Sequence, residues 1–174
     1  SAIILGGRRT QLIPLVTESF NWQHGVFVGA RTGSETTAAA VHKEGVLRRD
    51  PMAMLPFCGY NMGDYFSHWL NIGKKLTHPP RIYSVNWFRA DENGKFIWPG
   101  FGENIRVLKW ILDRVNNRVE AQKTPIGLIP RIKDLDLSGL NIPARQLDKL
   151  FEVNPEEWQE ELRDIEKFLS QFSG

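Results

Sequence analysis

Cys58 is the only cysteine in this chain. A lone thiol excludes an internal disulfide and fits a reducing compartment, so a cytoplasmic protein is expected. No apolar run approaches the ~18 to 20 residues that cross a bilayer. No basic stretch precedes the apolar Ala2–Leu5, so no signal peptide is expected either. Excess charge is scarce: 22 Lys and Arg against 20 Asp and Glu leave a net +2. That total gives no field for a polyanion, and no nucleic-acid partner is expected. None of the four histidines, His24, His42, His68 and His78, has metal-ligand spacing such as HExxH. A GxxxxGK(S/T) phosphate loop is missing, and so is a Lys/His/Asp set for a divalent metal. No metal site is therefore expected within this chain. Internal repeats and low-complexity tracts are absent as well.

What is present reads as one globular domain. A chain of 174 residues with 41% hydrophobic and 24% charged side chains can bury one sizeable core. Ala2–Leu5 reads as a short buried strand that Gly6-Gly7 breaks. Leu12–Thr17 and Val26–Val28 read as further strands, with Ser19–His24 a helical turn or loop between them. Asp50–Tyr60 reads as an irregular loop plugged by Met52, Met54, Leu55 and Phe57. Asn61–Leu76 is a predicted helix, because Tyr65, Trp69, Ile72 and Leu76 share one stripe. Arg81–Phe88 reads as a strand and Lys95–Trp98 as its hairpin partner. Asn104–Val115 is a predicted helix with Val107, Leu108, Ile111, Leu112 and Val115 on one face. Ile126–Pro130 is extended and Arg145–Phe151 a short helix. Asn154 is a suitable N-cap, Pro155 suits the first helical position, and Glu156 and Glu157 favour the positive helix end. The last helix runs to about Phe172, with Trp158, Leu162, Ile165, Phe168 and Leu169 inward. The fold class is mixed α/β.

The densest chemistry lies in Asn86–Asn104, NWFRADENGKFIWPGFGEN. Its nineteen residues hold five aromatics. Asp91-Glu92-Asn93-Gly94 is a hairpin signal, because Asn-Gly tolerates the positive φ of a tight turn. Pro99-Gly100-Phe101-Gly102 turns the backbone and leads into a helix. Aromatic faces beside a flexible loop at a helix N-terminus suit a planar ring carrying phosphates. Every base has a π-face, and the helix end presents free N–H groups. The same aromatics also suit a hydrophobic core. Composition leaves both readings open.

Arg8 and Arg9 follow a strand end and two glycines. Ligands bind at that edge in open α/β sheets, and the guanidinium fork matches phosphate oxygens. Two solvated turn arginines have the same signature. Gly29–Lys43 is rich in small residues and short of large apolar anchors, so weak packing is expected there; an Ala-rich helix start is the other reading. Cys58 reads as a small buried hydrophobe, Asp50 as a turn residue, and His24 and His68 as structural.

Seven blocks in order resemble the GTP-dependent phosphoenolpyruvate carboxykinases. They are GGRR at Gly6–Arg9, PLVTESFNWQHGVFVGA at Pro14–Ala30, SETTAAA at Ser34–Ala40, DPMAMLPFCGYNMGDY at Asp50–Tyr65, HW at His68–Trp69, the Asn86–Asn104 segment, and TPIG at Thr124–Gly127. The resemblance covers roughly Ala2 to Leu169. It implies the family's C-terminal nucleotide-binding subdomain over residues 1–174, a mixed sheet with flanking helices. It implies that Phe88, Phe96 and Phe101 surround guanine, two sandwiching the ring and one closing its edge. Asn104 aligns with the residue that reads the base, and its amide offers both a donor and an acceptor. Gly102 and Glu103 align with backbone contacts. Arg8 aligns with a catalytic arginine on the nucleotide phosphates, while Arg9 is orienting or structural. Thr36, Thr37, Ala38, Ala39, Ala40, Val41, His42, Lys43, Glu44, Gly45 and Val46 align with a mobile Ω-loop lid. Closing such a lid keeps water from a reactive enolate. Gly33 stands where many members carry arginine and Val41 where many carry glutamate; Arg31 is a candidate replacement charge for the former.

The activity the resemblance implies is conversion of oxaloacetate and GTP to phosphoenolpyruvate, GDP and CO2, in gluconeogenesis or anaplerosis, with Mn2+ or Mg2+. In the family, the phosphate loop and the metal ligands lie upstream of the matched region, and the chain continues past the last helix. This chain opens on Ser1 and enters a strand at once. It is therefore expected to be a C-terminal piece that is inactive alone. Its expected partners are oxaloacetate, phosphoenolpyruvate, guanine nucleotide and the N-terminal part of its own protein. A non-catalytic nucleotide-binding module and a structural α/β module are the alternatives.

Overall fold

The structure, a computed structural model, describes residues 1–37 and 45–172. Seven strands are Ala2–Gly6 (β1), Val16–Glu18 (β2), Gly33–Glu35 (β3), Leu47–Arg49 (β4), Arg81–Val85 (β5), Gln122–Thr124 (β6) and Gly127–Ile129 (β7). Among the described residues five α-helices are Trp22–Ala30 (α1), Met62–Lys75 (α2), Asn104–Val115 (α3), Ala144–Phe151 (α4) and Pro155–Leu169 (α5). The main sheet has five strands in the order β1-β5-β2-β7-β6, and β3 and β4 form a separate antiparallel pair. β1 runs parallel to β5, with Ala2 opposite Arg81 and Gly6 opposite Val85. β2 runs antiparallel to β5 and to β7. The sheet is mixed and helices flank it, as expected.

The core lies where Val16, Tyr83 and Val85 of the sheet meet Val107, Trp110 and Ile111 of α3 and Leu150 of α4. Ile97 and Trp98 join it, so part of the aromatic segment is core. α3 is amphipathic as expected, but Trp110 takes the inward slot and Leu112 is exposed. α5 starts at its expected cap, and α2 is capped by Asn61, the first residue of its expected span. Asn61 Oδ1 accepts from the Gly63 N–H, and Asn154 Oδ1 accepts from Glu156 and Glu157. Capping satisfies N–H groups that have no intrahelical partner.

Several elements differ from the sequence reading. Val26–Val28 is not a strand but part of α1. Asn21 caps that helix by accepting from the His24 N–H at 2.9 Å. Gly25 brings the helix directly onto β5, because a Cβ there would stand 2.4 Å from Ile82 Cδ1. A β-branched run buried on several sides hides its helical period. The strand expected at Leu12–Thr17 shortens to Val16–Glu18, because Leu12 adopts a φ of 68° and turns the chain. β5 stops at Val85, and the expected hairpin contracts to a single bridge between Ala90 and Phe96. In the loop after β4 only Met52 is a buried plug; Leu55 and Phe57 are exposed. Cys58 is half-buried, its thiol donating to the Tyr60 carbonyl. In α5 the inward stripe holds Trp158, Glu161 and Ile165, while Leu162 faces out. No helix among the described residues is long and apolar enough to cross a membrane.

Candidate nucleotide site

Two loops leave the carboxyl ends of the adjacent parallel strands β1 and β5. That edge is the usual place for a ligand in such sheets. The first loop carries Arg8. Gly7 lies flush against β3, since a Cβ there would come within 2.4 Å of the Gly33 carbonyl oxygen. The Arg8 N–H donates to Ser34 Oγ at 3.1 Å, and the Arg8 carbonyl accepts from the Glu35 N–H at 2.8 Å. Thr10 N–H donates to Glu35 Oε1 at 2.9 Å. The second loop carries Phe88. Asn86, 1% exposed, joins the two loops. Its Oδ1 accepts from the N–H groups of Arg9 and Phe88, and its Nδ2 donates to the carbonyls of Arg9 and Ile13. All four hydrogen bonds of a buried amide are made, which fixes the loops relative to each other.

The outcome is a cation on an aromatic pair. Arg8 Cζ lies 4.2 Å from the centroid of the Phe88 ring. Phe88 meets Phe96 edge to face at 5.6 Å. Phe96 is half exposed, and Phe101 is 100% exposed with a φ of 37°. A bulky residue in the left-handed region is strained, and such strain gathers at functional positions. Phe101 makes no ring contact with a described residue, so the structure unites Arg8, Phe88 and Phe96 and leaves Phe101 apart. Phe101, Gly102 and Glu103 form a single 3-10 turn into α3. The Glu103 carboxylate is held by Arg106, and its N–H donates to the Gly100 carbonyl. Asn104 Oδ1 accepts from Trp98 Nε1 at 2.9 Å.

Of the expected lid, Ala38, Ala39, Ala40, Val41, His42, Lys43 and Glu44 lie outside the described residues. Its two ends are described. Thr36 and Val46 extend the β3–β4 pair, with Thr36 N–H donating to the Val46 carbonyl at 2.9 Å and Val46 N–H to Thr36 Oγ1 at 3.1 Å. Gly45 N–H donates to the Thr36 carbonyl. Thr37 is half-buried.

Beneath this stem lies a charge cluster that the sequence reading missed. Arg9 makes a two-pronged pair with Glu161 at 2.9 and 2.8 Å. Arg49 of β4 donates to Glu161, to Asp164 and to the Arg31 carbonyl. Burial alone would raise the Glu161 pKa, but the hydrogen bonds and charges of Arg9 and Arg49 outweigh it and hold the group at about 2. Arg31, the candidate replacement charge, lies against α5. It is 7% exposed, with Cζ 4.9 Å from the Trp158 ring. Burial lowers its pKa to about 10, against the opposing pull of Glu161. One signal for the cluster was in the sequence: Glu161 lies on the stripe of α5 shared by Trp158 and Ile165. Arg9 is thereby structural. Among the described residues, no three His, Cys, Asp or Glu side chains gather where they could hold a metal ion.

Comparison with known proteins shows the family. The model of the phosphoenolpyruvate carboxykinase C-terminal P-loop domain matches residues 1–174, the whole chain. The chain belongs to the GTP-dependent phosphoenolpyruvate carboxykinase family. A GTP-dependent phosphoenolpyruvate carboxykinase of Thermoplasma volcanium is 54% identical over 174 residues. That of Chlamydia muridarum is 53% identical over 174 residues, and that of Anaeromyxobacter sp. strain K 52% over 162 residues. The alignments cover 100%, 99% and 93% of this chain, but only 29%, 29% and 27% of the respective carboxykinases. The chain thus spans less than a third of the length of the carboxykinases it matches. The phosphate loop that gives the domain its name has no counterpart motif in these residues.

Proposed function

We propose that this chain is the guanine-binding, lid-bearing part of a longer cytoplasmic carboxy-lyase. That enzyme converts oxaloacetate and GTP to phosphoenolpyruvate, GDP and CO2. Loss of CO2 from oxaloacetate leaves an enolate, and its oxygen takes the γ-phosphoryl group as GDP departs. The observation that carries the reading is half-exposed Phe96 set edge to face against Phe88, with Arg8 lying over the Phe88 ring. A stacking surface beside a cation is what a base with a phosphate tail requires. In this reading Phe88, Phe96 and Phe101 enclose the base, and Asn104 reads its edge. Gly102 contributes backbone, as does Glu103 through its carbonyl, and Arg8 is the catalytic arginine on the phosphates.

Arg8 and the lid share one frame. The Arg8 main chain is bonded to Ser34 and Glu35 of β3, and β3 leads into the lid segment 36–46. Substrate held at Arg8 and closure of the lid would then act on the same pair of strands. In this reading the Mn2+ or Mg2+ ligands and the phosphate loop, which the family resemblance implies lie upstream, belong to the rest of the protein. The isolated chain should therefore not turn over. A coupled assay with GTP, oxaloacetate and Mn2+ tests this. Background-level rates from the chain and GTP-dependent turnover from the full-length protein are expected; turnover by the purified chain would refute the division of labour.

A further inference from the structure

Trp98 is 2% exposed in the core, and its one polar atom donates to Asn104 Oδ1 at 2.9 Å. An indole N–H only donates. It therefore fixes which end of the Asn104 amide points where. A half-turn of the amide would set NH2 against N–H and leave a buried donor unpaired.

We propose that Trp98 is a positioning residue for base choice, locking the Asn104 amide in the orientation that matches guanine. This rests on Asn104 being the base reader. Guanine presents an acceptor, O6, beside a donor, N1–H. Adenine presents the reverse, a donor amine beside an acceptor nitrogen. An amide edge can pair with either base, and the half-turn exchanges one match for the other. With Oδ1 tied to Trp98 by one lone pair, the NH2 is free for O6 and the second lone pair for N1–H. Trp98 itself never touches the base; it removes the adenine-matching orientation. Specificity of this kind comes from penalising the wrong partner as much as from favouring the right one.

The test uses the full-length enzyme that carries this chain. Trp98→Phe keeps the aromatic ring and removes the donor. Replacing Trp98 with benzothienylalanine keeps the two-ring shape and puts sulfur where the N–H stood. In both variants the kcat/KM ratio for GTP over ATP should fall by about five- to a hundredfold, the span of one misplaced buried hydrogen bond. The kcat at saturating GTP should stay within about twofold of wild type, because the phosphates and Arg8 are untouched. ITP, which shares O6 and N1–H with GTP, should follow GTP. Asn104→Ala is measured alongside. If Asn104→Ala leaves the GTP-over-ATP ratio unchanged, Asn104 is not the base reader and the underlying reading fails. If Asn104→Ala collapses the ratio while the benzothienylalanine variant keeps it, the role of Trp98 alone is overturned.

Discussion

Arg9 gives both terminal nitrogens of its guanidinium to Glu161, whereas Arg8 lies over the Phe88 ring and makes no ion pair with a described residue. The two arginines mark two regions. Around Arg9, the charges of Arg49, Glu161 and Asp164 are matched, and the stem of β3 and β4 is fastened to α5. Near Arg8, Phe96 stands half open; Phe101, apart from them, is fully exposed and holds an unfavourable backbone angle. The charged region is saturated with ion pairs from its own chain; the proposed site leaves aromatic surface exposed. Buried charge left unpaired is costly, while exposed aromatic area is tolerated. Substitutions in the two regions should therefore separate stability from binding.

The largest effect is expected in the saturated region. Glu161→Gln removes the carboxylate charge between Arg9 and Arg49, leaving Arg49 with Asp164 and Arg9 with Glu35 at 3.8 Å, and should cost about 3 to 5 kcal/mol, read by urea unfolding. A loss under about 1 kcal/mol would show that the cluster does not hold α5 to the stem. Asn86→Ala comes next, because Asn86 lies between the regions. It leaves the N–H groups of Arg9 and Phe88 without their acceptor and should cost about 1 to 3 kcal/mol. It should also weaken nucleotide binding by loosening Arg8 against Phe88; intact affinity in a destabilised variant would break that link.

Acid should act on the saturated region. Glu161 is held down from 4.5 to about 2 in the folded chain. A depressed carboxylate stabilises the fold above its unfolded pKa, and that stabilisation is lost as pH falls through the folded value. Stability from this group should thus be full above about pH 4.5 and decline towards pH 2. Urea unfolding between pH 6 and pH 2 should show a smaller acid loss in Glu161→Gln than in wild type; equal slopes would remove Glu161 as a cause. The smallest effect is expected at Lys109, whose pair with Asp113 is solvent-exposed on the lysine side. Lys109→Ala should change stability by roughly 0.3 to 0.5 kcal/mol and leave nucleotide affinity unchanged.

The cap at Asn154, the amphipathic α3 and the ordered family blocks were legible in the sequence because each is local. Candidate residues Arg8, Phe88 and Phe96 were legible through those blocks, and the structure brings them together. What was not legible was long-range. Arg9 meets Glu161 across 152 positions, and Asn86 meets Arg9 across 77. No local pattern announces such pairs. α1 was misread because its apolar run of Val26, Phe27 and Val28 carries the residue types of a strand, and only the Asn21 cap and the close fit of Gly25 on Ile82 reveal the helix. The aromatic segment looked like core or like a base site, and it is divided: Ile97 and Trp98 are core, Phe96 and Phe101 are not.

The most direct test of the exposed aromatic face as the base site is calorimetric titration of GDP into full-length protein, wild type and Phe101→Ala. Phe101 is wholly exposed in this chain, so its removal should leave the melting temperature unchanged. Stacking on the base should be lost, and the Kd for GDP should rise about five- to a hundredfold. An unchanged Kd would contradict the site.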